Sequence, residues 1–288
     1  MLRRGRSLVL VYTIAFSILM TIALLTVLPI SHSYYALDGG SRGHSELSKM
    51  VSTWLTTLRV LQEVESAKTL LVIAREEPLA LDELEHVVGF VKRGSVVVFY
   101  GSENAVKQLF EYLGFRAEYL GSVIDPVFSA SESHLVLVNV SSLNATLLLD
   151  SPYAIQLAGY SEEVVVEPMA YTSMFSYVDS NSNSLYDIGE PIDSFPVVYS
   201  IRLGYGKLIV VCAHGLFTNN VFNSNVDWLK SLASEGDVLL DQSWVKASWL
   251  LYLKLLMNTP RTISPLYISL LVVAVVLVST YVYNAIYR

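Results

Sequence analysis

Two uncharged apolar runs sit near the ends of this 288-residue chain and constrain what can lie between them. Ser7 to Ile30 has 24 residues without a formal charge, mostly Leu, Ile, Val, Ala, Thr and Phe. A helix of about 20 apolar residues crosses a hydrocarbon layer of about 30 Å, so this segment is long enough to span a bilayer. A cleaved signal peptide has a shorter apolar core, of about 7–15 residues. The best cleavage position, after Ala36, also places bulky Tyr34 where a small residue is preferred. An uncleaved anchor over 7–30 is the expectation. The second run, Thr262 to Tyr287, is also uncharged. Its Tyr267, Tyr281, Tyr283 and Tyr287 lie toward the ends, where amphipathic rings favour headgroups, and Pro265 suits a helix start. It predicts a second transmembrane helix over 263–285.

Charge orients the two. Arg3, Arg4 and Arg6 precede the first run and Arg288 follows the second, which predicts cytoplasmic ends at 1–6 and 286–288. Residues 31–262 then form an extracytoplasmic domain of a two-pass plasma-membrane protein, with the lipid bilayer as a partner. Two N-glycosylation sequons, at Asn139 and Asn144, agree with that side. All 26 acidic residues but only 15 of the 19 basic ones fall in 31–262, so nucleic acid is disfavoured as a partner. A single cysteine, Cys212, excludes an internal disulfide and any multi-cysteine metal site.

Inside the middle region the first half alternates regularly. Thr69–Ala74 and Ser95–Tyr100 are almost continuous apolar runs, the pattern of strands buried on both faces. Leu79–Lys92 places Leu81, Leu84, Val87, Val88 and Val91 at helical spacing, and a second helix runs from about Asn104 to Leu113. Strand, helix, strand, helix implies a parallel sheet. His44–Thr57 reads as helical and Leu58–Val64 as strand-like. Short strand candidates without helices, at Leu135–Val140, Thr146–Leu149, Glu163–Val166 and Tyr171–Val178, suggest a β-rich insertion over about 134–203. The parallel pattern returns with Lys207–Cys212, a helix near Asn225–Ser234, a strand at Asp237–Asp241 and a helix at 243–257.

This order of elements resembles the uncharacterised membrane-anchored proteins that carry a class I glutamine-amidotransferase-like domain. The residues carrying the resemblance are Gly39–Ser45, Thr69–Ala74 with Glu77-Pro78-Leu79, Phe90–Gly94 and Phe195–Val198. Gly204–Lys207 before Leu208–Cys212, Phe217-Thr218-Asn219 and Val238–Asp241 complete the set. The resemblance implies an α/β, Rossmann- or flavodoxin-like layered domain, and similar domains occur in accessory proteins of transport systems. Glutaminases of this fold need a nucleophilic cysteine at a strand–turn–helix elbow, with a histidine and a carboxylate. The turn in that place reads Gly101-Ser102-Glu103, without cysteine. His214 stands where relatives usually have an acid, and Asp241-Gln242 where they tend to have Asp-Glu. No triad is transferred.

Three groups of residues could carry chemistry. Asp179, Asn181, Asn183, Leu185, Asp187 and Glu190 occupy positions 1, 3, 5, 7, 9 and 12 of a twelve-residue segment, the ligand spacing of an EF-hand calcium loop. Ser184 replaces the glycine preferred at position 6, and the flanks read as strands. The expectation is a weak, structural calcium site, of about 10⁻⁴–10⁻³ M; the alternative is an Asx-rich turn. Cys212 and His214, or Ser102 with His214, could form a nucleophile–base pair. The plainer reading is a buried cysteine followed by a turn histidine. Asn219 and Asp241 could line a ligand crevice beyond the strand ends, or cap and shape turns. Together these observations predict a non-catalytic binding or scaffold protein. The alternatives are an accessory subunit of a transport or export complex, with other membrane proteins as partners, and a Cys/Ser hydrolase or amidase.

Overall fold

A computed structural model describes residues 33–65, 69–140, 145–159, 164–233 and 236–245. Five strands pair in parallel: Thr53–Leu55 (β1), Leu70–Arg75 (β2), Val96–Gly101 (β3), Gly206–Val211 (β10) and Val238–Asp241 (β12). Their order is β1-β12-β2-β3-β10. Successive side chains of a strand point to opposite faces. Leu71, Ile73, Val97, Phe99, Leu208 and Val210 therefore enter one apolar cluster. Leu70, Val72, Val98, Tyr100, Ile209 and Val211 enter another.

Each cluster is closed by helices. Leu81–Lys92 (α2) and Glu103–Tyr112 (α3) cover the first, burying Leu84, Val87, Val91, Val106, Leu109 and Phe110. The Glu83 carboxylate accepts the Ala80 N–H at 3.0 Å and so caps the start of α2. Phe222–Ala233 (α4) covers the second with Phe222, Trp228 and Leu229. Asn225, fully buried, donates to the carbonyls of Leu148 and Leu216 and accepts the Leu148 N–H, pinning α4 to its neighbours. A shorter helix, Ser45–Ser48 (α1), is one turn long.

The remaining strands are antiparallel: Arg116–Ile124 (β4), Leu135–Val140 (β5), Ala145–Ala158 (β6), Val165–Tyr171 (β7), Tyr177–Asp179 (β8), Pro196–Leu203 (β9) and Ala213–Gly215 (β11). β9 pairs with β10, and the sheet continues β9-β7-β5-β6-β4-β8. β6 pairs with β5 along its first half and with β4 along its second, while β11 joins near the middle.

The expected Rossmann- or flavodoxin-like layered α/β domain is therefore corrected. The described residues form mostly one mixed sheet of twelve strands, with few helices. Residues 134–203 are no insertion beside a sandwich, because β9 carries the ladder straight on from β10. Val197, Val198, Tyr199, Ile201 and Leu203 of β9 are buried, which makes it a central strand with partners on both edges. Two local expectations also change. The helix expected over 44–57 stops at Ser48, and Thr53–Leu55 pairs with β12 instead. Leu58–Gln62 is a 3₁₀ helix that buries Leu58 and Leu61, three residues apart on one side.

The two-pass membrane arrangement is corrected as well. Among the described residues no helix is long and apolar enough to cross a membrane. The spans expected over 7–30 and 263–285 lie outside the described residues, as does most of the helix expected over 243–257. No helix of the described residues carries the expected plasma-membrane localisation with an extracytoplasmic domain. Of the two sequon asparagines, Asn139 is exposed on β5 and Asn144 lies outside the described residues.

Candidate functional site

The carboxyl ends of the parallel strands meet at a set of buried polar contacts. Arg75 ends β2 and Asp241 ends β12; their side chains pair at 2.8 Å, both almost completely buried. Arg75 also reaches Glu83 at 3.2 Å and donates to the Ser243 hydroxyl at 2.7 Å. Burial pushes the Asp241 carboxyl above its ordinary range, and the Arg75 guanidinium opposes that rise. Asp241 is thus committed to holding two strands and α2 together and does not face a crevice. Gly101 ends β3 with φ +146°, and a Cβ there would stand 1.9 Å from the Arg75 carbonyl oxygen. The close approach of β2 and β3 requires glycine at that position.

The segment 34–46 lies over these strand ends. Asn219 donates to the carbonyls of Asp38 and Gly40, at 2.9 and 2.7 Å, and accepts from the Glu46 N–H and the Ser45 hydroxyl. Buried Gln242 accepts the Ala36 N–H and donates to the Tyr34 carbonyl, each at 3.0 Å. Both side chains work as clamps. Under them Tyr34, His44, Tyr100 and Phe217 form a chain of ring contacts with successive centroids 5.6–6.1 Å apart. His44 is fully buried, and its Nε2 lies 2.6 Å from the Tyr100 hydroxyl. Desolvation lowers its pKa to about 3, so the ring is neutral at pH 7.

The suggested nucleophiles are occupied otherwise. Ser102 is the N-cap of α3: its hydroxyl accepts the Ala105 N–H at 3.3 Å and donates to the Glu76 carbonyl. Cys212 is 0% exposed inside the α2/α3 apolar cluster, where burial pushes its thiol well above the ordinary range. The thiolate is the nucleophilic form, and this environment suppresses it. His214, on β11, is half-buried and pairs with Glu103 rather than with a nucleophile, at 3.8 Å from Nε2 to the carboxylate. Its ring stands 5.6 Å from that of Tyr153. Desolvation lowers the His214 pKa, with Glu103 acting against it.

The segment Asp179–Glu190 stands apart, between β8 and β9. Buried Asp179 accepts the N–H groups of Asn183 and Ser184, at 3.1 and 2.7 Å. Buried Glu190 accepts those of Ser180 and Asp187, at 2.9 and 3.0 Å. The side chains at positions 3, 5 and 9 converge: Asn181 and Asn183 both donate to one Asp187 oxygen, at 2.6 and 2.7 Å. Ser182 and Ser184 take left-handed conformations, φ 60° and 61°, so Ser184 makes the turn that glycine usually makes at position 6. Leu185 is exposed and its N–H bonds to the Asn183 side chain. Among the described residues no three His, Cys, Asp or Glu side chains gather closely enough to hold a metal ion by themselves.

Sequence reasoning missed Arg42, Glu76, Glu103 and Asp150 as the charged groups around His214. They come from four separate segments, and nothing in their local spacing marks them.

The model of a domain of unknown function, DUF4350, matches residues 46–225, more than half of the chain. The chain belongs to the DUF4350 family. No curated protein matches its sequence. Among solved structures, this DUF4350 chain is similar to the N-terminal domain of mmIFT52, with 15% identity and a TM-score of 0.42 over 63% of this chain and 82% of that one. A ThuA-like protein from Bacteroides uniformis gives 13% identity and a TM-score of 0.33, over 62% and 70%. A β-galactosidase from Bacillus circulans sp. alkalophilus gives 14% and 0.36, where this chain spans 58% of itself but 22% of that enzyme. At this level of similarity none of the three bears on what a DUF4350 chain does.

Proposed function

We propose that this chain is a non-catalytic binding or scaffold module whose β8–β9 loop is closed by a calcium ion. The observation that carries the proposal is the convergence of Asn181, Asn183 and Asp187 on one point, in a segment with oxygen groups at all six ligand positions. Calcium takes six to eight oxygen ligands at about 2.3–2.6 Å. Asp179, Asn181, Asn183, the Leu185 carbonyl, Asp187 and Glu190 offer that chemistry. Two amide N–H groups now answer the Asp187 charge; turning both amides would present their carbonyl oxygens to a cation instead. That exchange breaks two Asx-type bonds, which keeps the affinity modest.

The binding reading is favoured over hydrolysis by what the polar groups of the strand ends already do. Ser102 caps a helix, the Cys212 thiol is walled in apolar side chains, and His214 turns to Glu103. Each is engaged in holding the scaffold.

Millimolar Ca²⁺ added to the metal-stripped full chain is expected to raise its melting temperature, with Mg²⁺ giving less, because its smaller octahedral shell fits a flexible loop poorly. Glu190→Gln is expected to abolish the increment. An unchanged melting curve for the wild-type chain would reject the calcium proposal.

A further inference from the structure

We propose that two neighbouring loops, 125–129 and 173–192, rest with their apolar tips in the headgroup layer of a zwitterionic lipid surface. This rests on the reading of the chain as a binding module and names its partner.

The loops are turned inside out with respect to water. Their carboxylates Asp125, Asp179 and Glu190 are buried, whereas Val127, Phe128, Met174, Phe175, Leu185 and Ile188 are each at least half exposed. A loop that faces water ordinarily exposes its acids and hides such side chains. Hydrogen bonds fix the inversion. Asp125 Oδ1 accepts the Val127 and Phe128 N–H groups, at 3.0 and 2.9 Å. Its Oδ2 accepts the Ser173 N–H and the Ser176 hydroxyl, at 3.1 and 2.9 Å. One carboxylate thus sets the two apolar pairs, 127–128 and 174–175, side by side. Tyr177 extends the surface. It bridges to Ile192, its ring stands 5.6 Å from that of Tyr186, and its hydroxyl donates to the Ser184 carbonyl at 3.3 Å. That folds the 184–188 turn back on the segment carrying Met174 and Phe175. Apolar side chains gathered in this way on a surface mark a place of contact.

The position of the chain ends selects the occupant. β9 is antiparallel to β10 and begins where β10 ends, and the Thr172 N–H bonds to the Phe195 carbonyl just before it. The 173–192 loop therefore lies on the edge of the sheet formed by the carboxyl ends of the parallel strands. Both ends of the described chain lie on that edge too: Gln242, the residue after β12, holds the Tyr34 carbonyl. From there the sequence continues, beyond the described residues, into the uncharged stretches 7–30 and 262–287. A lipid phase beside this edge answers the tips and both stretches; a folded partner answers the tips alone. Charge selects the lipid. No Lys or Arg occurs between Arg116 and Arg202, and basic side chains are what draw a protein to anionic headgroups. Half-exposed Tyr186 suits the headgroup level, where a ring with a polar end is favoured.

The test is fluorescence of the full chain with phosphatidylcholine vesicles, in chelator. A single reporter thiol, from Phe128→Cys, Ile188→Cys or Tyr205→Cys in a Cys212→Ala background, carries an environment-sensitive dye. Tyr205 is the internal control: it is exposed in the turn between β9 and β10, at the opposite edge of the sheet. Dye at 128 and 188 is expected to be quenched by spin-labelled lipid and dye at 205 is not, with no loss on adding salt. Met174→Ser together with Phe175→Ser should leave the melting temperature unchanged, since both side chains point outward. The pair is expected to weaken the docking read at 188 at least about tenfold, the effect of withdrawing one apolar side chain from an apolar phase. Equal quenching at all three positions, or none at 128 and 188, overturns the proposal. So does a blue shift at 128 and 188 that appears without vesicles and grows with protein concentration, which assigns the surface to a second copy of the chain. Chelator keeps calcium out of the measurement, so a failure here with an intact calcium melting response removes the lipid surface and leaves the module reading standing.

Discussion

Cys212 is the only cysteine in the chain, which turns its burial into a measurable quantity. Its side chain belongs to the same cluster as Tyr153, Tyr199 and Val210, and its backbone N–H and carbonyl are tied to Val197 and Tyr153. A thiol reagent needs the thiolate, and burial without a nearby cation disfavours that form. The native protein is expected to react with a disulfide reagent such as dithiobisnitrobenzoate at least about a hundredfold more slowly than the urea-unfolded chain. Native-state labelling as fast as that of the unfolded chain would place the thiol in a reactive pocket and reopen the hydrolase reading. The burial of Cys212 was legible in local residue chemistry, since a cysteine inside Leu208–Ala213 reads as an apolar core residue. Residue chemistry was silent about the partner of His214: only the folded chain brings it to Glu103, at 3.8 Å, and their separation in sequence carries no mark of it.

At the scale of elements, the segment 34–46 has little of its own to hold it. Its regular structure begins only with the single turn of α1, and its hydrogen bonds run chiefly to Asn219, Gln242 and a few internal turns. Asn219→Ala removes four hydrogen bonds at once, each contributing about 0.5–1.5 kcal/mol net. A loss of about 2–4 kcal/mol of stability is expected, with amide exchange accelerated over 38–46 while β2 and β3 stay protected. Uniformly faster exchange, or none, would show that the segment is not separately clamped. Such a clamp is invisible to pattern reading, because an asparagine after a strand looks like any turn residue. The elements that were legible are those with a strong period or a continuous apolar run: β2, β3, β10, α2 and α3 fall within two residues of their expected ends. Residues 44–57 and 58–64 were misread because short amphipathic stretches fit either period. There the outcome was decided by pairing with β12 and by the packing of Leu58 and Leu61 against the α2/α3 cluster.

For the whole molecule, the sheet order itself was beyond the sequence. Nothing in β9 announces that it joins the parallel strands to six antiparallel ones, since a strand buried on both faces reads alike in either arrangement. What the molecule as a whole is expected to respond to is pH, through His44. Its ring is 0% exposed and is held neutral, with a folded pKa of about 3 against an ordinary value of 6.5. Below pH 6.5 the unfolded chain takes up a proton that the folded chain refuses, so stability is complete above 6.5 and falls as pH drops toward 3. The slope for one such group is about 1.4 kcal/mol per pH unit, or about 2 kcal/mol between pH 7 and pH 5. His214 has a lowered pKa and adds in the same direction. Urea melts at pH 7 and pH 5 are expected to differ by at least that amount, and His44→Gln should flatten most of the difference at the cost of some stability at pH 7. If the wild type were equally stable at both values, His44 would be free to take its proton in the folded chain, and the sealed contact between 34–46 and the ends of β2 and β3 could not stand.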